Sequence, residues 1–176
     1  MQKRTLLTGI SLALLGLTSC AHKKPHHRNN LKHIIVGKHR SQKNIDRNTY
    51  RHPQETLRFF EVRPDMKVAE ISPGAGWYME ILGPYLKNSG QYYITKYPEQ
   101  GPEYFKKLNK MADEKMADKT TYGHVHAAVF MPGKIIEDIA PENTLDRVLT
   151  FRNLHNWMKG GKAKEALAAF YKALKP

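Results

Sequence analysis

The residues best suited to chemistry lie in two stretches, "VAEISPGAGWY" at 68–78 and "FRNLHNW" at 151–157. In the first, Glu70 precedes Pro73, Gly74 and Gly76. Glycines let backbone approach a ligand with no Cβ in the way. A helix starting just beyond offers unbonded N–H groups. A third glycine of the dinucleotide fingerprint would fall at position 79, which is Met79, so tight pyrophosphate binding is disfavoured. An acid at Glu70 repels a phosphate and accepts a cationic ligand end; alternatively, nearby backbone N–H groups satisfy it. The second stretch gathers Arg152, Asn153, His155, Asn156 and Trp157. An imidazole, with an unperturbed pKa of about 6.5, can act as a base. The Asn153 and Asn156 amides can orient an acceptor oxygen or nitrogen. The alternative is that Arg152, Asn153 and Asn156 bond loop backbone and Trp157 enters the core.

These residues need a scaffold, and the hydrophobic pattern predicts one. "KVAEIS" at 67–72 reads as a buried strand, and residues 77–86 read as a helix with Met79, Leu82, Tyr85 and Leu86 at helical spacing. "QYYITKY" at 91–97 is rich in β-formers. Residues 101–118 read as a polar helix, 124–131 as a third strand and 145–151 as a fourth. Pro53 suits a first helical turn within 45–62. In 162–174, Ala163, Ala166, Leu167, Phe170, Tyr171 and Leu174 form one apolar face. The alternation predicts an α/β fold with a mostly parallel sheet. In such sheets ligands bind outside the carboxyl ends of the strands. Both chemical stretches fall there.

"VAEISPGAGWY" resembles motif I of the class I S-adenosylmethionine-dependent methyltransferases, an acid followed by a Gly-x-Gly turn between first strand and first helix. "YRHPQETLRFF", "EISPGAGWYMEILGPYL" and "LTFRNLHNW" together are similar to a group of bacterial predicted methyltransferases, many with export signals. The resemblance covers about residues 45–176 and implies a Rossmann-like methyltransferase fold with strand order 3-2-1-4. It implies that Glu70, Pro73, Gly74 and Gly76 line S-adenosylmethionine, whose ammonium and sulfonium suit an acid. It implies that the acceptor lies beside Asn153, His155 and Asn156, where methyl transfer needs mostly proximity and alignment. The family's ribose-gripping acid at the end of the second strand is missing. That strand ends Thr95-Lys96-Tyr97, and Glu99 is the nearest candidate. The third strand ends Val129-Phe130-Met131, without the family's acid near the adenine. The family's fifth strand and closing hairpin have no counterpart after Pro176, which implies C-terminal truncation, an exposed fourth strand, and only partial cover for Phe170, Tyr171 and Leu174.

The first residues carry a different message. Lys3 and Arg4 precede an apolar run from Leu6 to Leu17, too short to span a bilayer. Leu17-Thr18-Ser19-Cys20 follows, with the sole cysteine in last place. This resembles a bacterial lipobox, so 1–19 is expected as a lipoprotein signal peptide and Cys20 as a lipidated first residue. The alternative is an ordinary signal peptide with an incidental cysteine. An intrachain disulfide is impossible. The net charge of +13 is uneven: residues 21–52 carry nine Lys or Arg against one Asp, while 53–176 are nearly balanced. Residues 20–44 are expected as a basic flexible tether, solvated or lying against anionic headgroups. Irregular histidine spacing argues against a metal site.

Two functions compete. One is an exported, lipid-anchored methyltransferase, facing the periplasm or cell envelope, with an unknown acceptor. The other is a noncatalytic lipoprotein that retains a degenerate methyltransferase scaffold and a basic surface-binding tether. Nucleic-acid binding lacks a motif and conflicts with export.

Overall fold

The computed structural model describes residues 27–134 and 138–176, so Cys20 and residues 1–19, expected above as a signal peptide, lie outside the described residues. Helices α1 (His27–Ile35), α2 (Gln42–Asp46), α3 (Asn48–Arg51) and α4 (Pro53–Phe59) lead into strand β1 (Lys67–Ile71). Then come α5 (Met79–Leu86), β2 (Gln91–Lys96), α6 (Glu103–Ala117), α7 (Lys119–Tyr122) and β3 (Val125–Val129). Strand β4 (Arg147–Thr150) and helices α8 (Leu154–Lys159) and α9 (Ala163–Ala173) complete the order.

Among the described residues the four strands form one parallel sheet in the order β3-β2-β1-β4. Strand β1 is central and buried on both faces, as its run of apolar residues requires. Successive side chains alternate. Val68 packs with Tyr92, Ile94, Ile81 and Leu82 on one face, while Ala69 and Ile71 pack with Phe130, Leu145, Ala166 and Phe170 on the other. Glu70 shares the face of Val68. No helix among the described residues is long and apolar enough to cross a membrane.

Two expectations are corrected. From His27 onward the supposed tether is folded. Leu31 and Ile34, one helical turn apart, are buried, and Arg40 is only 4% exposed. The charged composition hid these few anchors, which suffice because α1 lies against α5. On α9, Phe170 is buried and not partly covered as expected, whereas Tyr171 and Leu174 do lack full cover. Ala166, Phe170 and Ala173 are buried, but Leu167 and Tyr171 are exposed, Tyr171 at 83%. The reason is position: among the described residues β4 is an edge strand, paired on its outer side only where Leu174 bridges to Leu145 before the strand begins.

Candidate functional site

The site forms where β1 ends. Ser72, Gly74 and Gly76 take φ of +52°, +62° and +75°, a left-handed series that turns the chain sharply toward α5. Two side-chain bonds hold the turn to neighbouring strands. The Ser72 N–H donates to Thr95 Oγ1 on β2 at 2.8 Å. Asn153 Nδ2 donates to the Ile71 carbonyl at 3.1 Å and to Thr150 Oγ1 at 3.0 Å, joining β1 to β4.

Above these strand ends lies a cleft of about 420 Å³, lined by Glu70, Pro73, Gly74, Asn153, His155 and Asn156 together with aromatic and arginine side chains. A second cavity of about 470 Å³ shares Ser72, Tyr97, Phe105, Asn153 and Asn156 with it. Phe130, Met131, Trp157 and Lys162 extend the lining of that second cavity. Tyr97 and Phe105 stack at 4.0 Å with planes 3° apart, presenting a flat apolar wall shared by both.

Glu70 sits at the floor, 3% exposed. Its Oε2 accepts the Tyr92 hydroxyl at 2.5 Å, so a side-chain hydroxyl, and not backbone N–H, answers this carboxyl. Burial pushes the Glu70 carboxyl up to about 7, against the pull of the Tyr92 bond and of Arg51. A carboxyl so poised gains an ionised form when a cation arrives.

The sequence candidates divide. Glu70, Pro73, Gly74, Asn153, His155 and Asn156 meet at one cleft. His155 and Asn156 are exposed at its mouth. Gly76 does not line it: the Lys115 stem crosses that glycine, with Cε only 2.8 Å from where a Cβ would stand. Glu99 is not brought in either. It is exposed beyond the end of β2, where Tyr97 faces the cleft. Lys96 is tied to Asp113 at 2.7 Å. Trp157 is half-buried against Phe170, a packing role. Among the described residues no cluster of His, Cys, Asp or Glu could hold a metal.

Sequence reasoning missed the contribution of residues 39–51. Glu80 on α5 is 5% exposed and gathers Arg40 Nε at 3.3 Å, Lys115 Nζ at 2.6 Å and Asn44 Nδ2 at 2.9 Å. Burial lowers the Arg40 guanidinium below its ordinary value, and Glu80 opposes the shift. Trp77 Nε1 donates to the Asn44 carbonyl at 3.0 Å. This network docks α2 and α3 beside the loop and brings Arg47 and Arg51 into the cleft. Two signals were available: Arg51 falls within the matched block "YRHPQETLRFF", and Pro84 inside a helix leaves a carbonyl without its helical donor.

No protein-family model matches the sequence, and no curated protein matches it. Solved structures do match in fold. A SAM dependent methyltransferase from Aquifex aeolicus is similar with a TM-score of 0.60 at 19% identity, over 85% of this chain and 68% of that one. The YcgJ protein from Bacillus subtilis is similar with a TM-score of 0.51 at 16% identity, over 72% of this chain and 47% of that one. The chain thus spans about half the length of the second. At these identities the likeness concerns the fold: a parallel α/β sheet with flanking helices, matching a methyltransferase structure.

Proposed function

We propose that the chain binds S-adenosylmethionine in the paired cavities and transfers its methyl group to an acceptor at Asn153–Asn156. The observation that carries this reading is Glu70 buried at the floor of a cleft, directly before a left-handed glycine turn at the end of the central strand. The residues present fit the methionine end of the cofactor. Glu70 would take the ammonium. Gly74 has open space where a Cβ would stand, so its backbone can be approached closely. The Tyr97–Phe105 wall suits a flat heterocycle. When bound, the cofactor supplies an electrophilic methyl on a sulfonium. The chain's own part is to hold and align, with His155 at the open mouth near the acceptor side.

One observation favours the second reading, a noncatalytic scaffold. Among the described residues no carboxylate from the end of β2 lines either cavity to grip a ribose: Glu99 is exposed and outside both linings, and Lys96 is engaged by Asp113. Calorimetry of the full chain with S-adenosylhomocysteine separates the two. Binding that weakens at least tenfold in Glu70→Gln supports the enzyme reading. A folded protein with no binding leaves the scaffold. We further propose export and lipid anchoring at Cys20. Mass spectrometry of the mature N-terminus tests this: an unmodified Cys20 within an intact leader overturns it.

A further inference from the structure

The cleft gathers positive charge that no hydrogen bond or ion pair among the described residues answers. Arg47 follows α2, Arg51 ends α3 and Arg152 follows β4, and all three line the same ≈420 Å³ space. Among the described residues, none of their side chains makes a hydrogen bond or ion pair. Arginines elsewhere do: Arg40, Arg63 and Arg147 each pair with a carboxylate. The cleft's own carboxyl, Glu70, is one buried group against three guanidiniums, and its Oε2 accepts the Tyr92 hydroxyl. Arg51 is held in place over Trp77, with its Cζ 5.0 Å from the ring centroid. Burial, together with the charges of Arg47 and Arg152, pushes Arg51 below its ordinary value. Arg152 takes φ of +66°, a conformation that a residue with a Cβ adopts at a cost of about 1–2 kcal/mol. The fold thus gathers like charges at one place, and an anion would relieve their repulsion. Guanidiniums are suited to that task because their fork bonds carboxylate and phosphate bidentately.

We propose that Arg47, Arg51 and Arg152 bind a carboxylate or phosphate of the methyl acceptor, which is therefore an anionic small molecule. The proposal rests on the methyltransferase reading above. The same chemistry exists on the cofactor's own carboxylate, and the experiment separates the two sources.

The full chain is titrated by calorimetry with inorganic phosphate and with succinate at low salt, first alone and then with saturating S-adenosylhomocysteine. One or both anions bind with one-to-one stoichiometry. Arg51→Gln and Arg152→Gln each weaken that binding at least tenfold, with circular dichroism unchanged. Arg63→Gln, an exposed arginine outside the cleft, leaves it unchanged. If Arg51→Gln fails to fold, Arg152→Gln on the exposed loop carries the test. Anion binding that persists beside S-adenosylhomocysteine supports the acceptor assignment. Loss of it assigns the arginines to the cofactor's carboxylate and overturns the proposal. Absence of binding by either anion, or unchanged affinity in the variants, also overturns it. If the anion binds and S-adenosylhomocysteine does not, the anion site stands and the methyltransferase reading falls.

Discussion

The His39 ring nitrogen Nε2 donates to the backbone carbonyl of Glu80 at 2.8 Å, across 41 positions of sequence. That carbonyl is the one Pro84 leaves without its helical donor, because proline has no N–H. A helix irregularity on α5 thus becomes the docking point for the segment that brings two arginines to the cleft.

The first prediction follows from this pairing. His39→Ala leaves a part-buried carbonyl unpaired and costs about 1–2 kcal/mol. In a Pro84→Ala background the restored N–H takes the carbonyl, so the same substitution costs less. Urea unfolding of the four-member cycle measures the coupling. Equal costs in both backgrounds would show that the contact is incidental.

Arg40 and Glu80 form a buried pair, with side chains 0% and 6% exposed. Removing one partner strands the other charge, so Arg40→Ala is expected to destabilise by roughly 3 kcal/mol. It should also open residues 27–51 to protease, since Asn48 Oδ1 loses its donor and the Ile35 carbonyl keeps only Asn48 Nδ2. A cost below about 0.5 kcal/mol, the range of ordinary surface substitutions, would return this segment to the status of a tether.

The two glycines of the loop are expected to behave differently. Gly74→Ala meets nothing within 4 Å, so its stability cost is the left-handed strain alone, about 1 kcal/mol. Its methyl enters the cleft, and affinity for S-adenosylhomocysteine falls at least tenfold. Gly76→Ala must displace Lys115, whose ammonium holds Glu80 at 2.6 Å. It therefore costs at least about 1 kcal/mol more in stability. Thermal unfolding beside calorimetry on both variants checks the contrast.

Glu70 makes stability depend on pH in a direction that can be worked out. Its carboxyl is raised in the folded protein to about 7 from 4.5. Between those values the native state holds a proton that the unfolded chain has released, so stability falls as pH rises through this window. Glu70→Gln cannot ionise and removes that fall. The variant is expected to gain stability relative to the parent between pH 5 and pH 8, on the order of 3 kcal/mol if the whole shift is expressed. Chemical unfolding across that range measures it, and parallel curves for the two proteins would show that Glu70 is not held protonated.

The strands and their partners in the core were legible because a buried strand and an amphipathic helix write their periods into the residues they bury. Val68 to Ile71, and Ala166 and Phe170, are buried where the pattern places an apolar face. So was the cleft position of Glu70, Pro73, Gly74, Asn153, His155 and Asn156, since ligands collect at the carboxyl ends of parallel strands. What only the tertiary structure decided is which charges are buried and which are free. Arg40 and Arg51 look alike in a basic segment, yet one is locked to Glu80 and the other opens on the cleft. Glu99 and Glu70 are both acids near strand ends, yet only Glu70 reaches the cavity. Periodicity reports burial of apolar area, a local property summed along one element. The partner of a charge is chosen across 35 to 40 positions by packing of separate elements, and no local pattern encodes it.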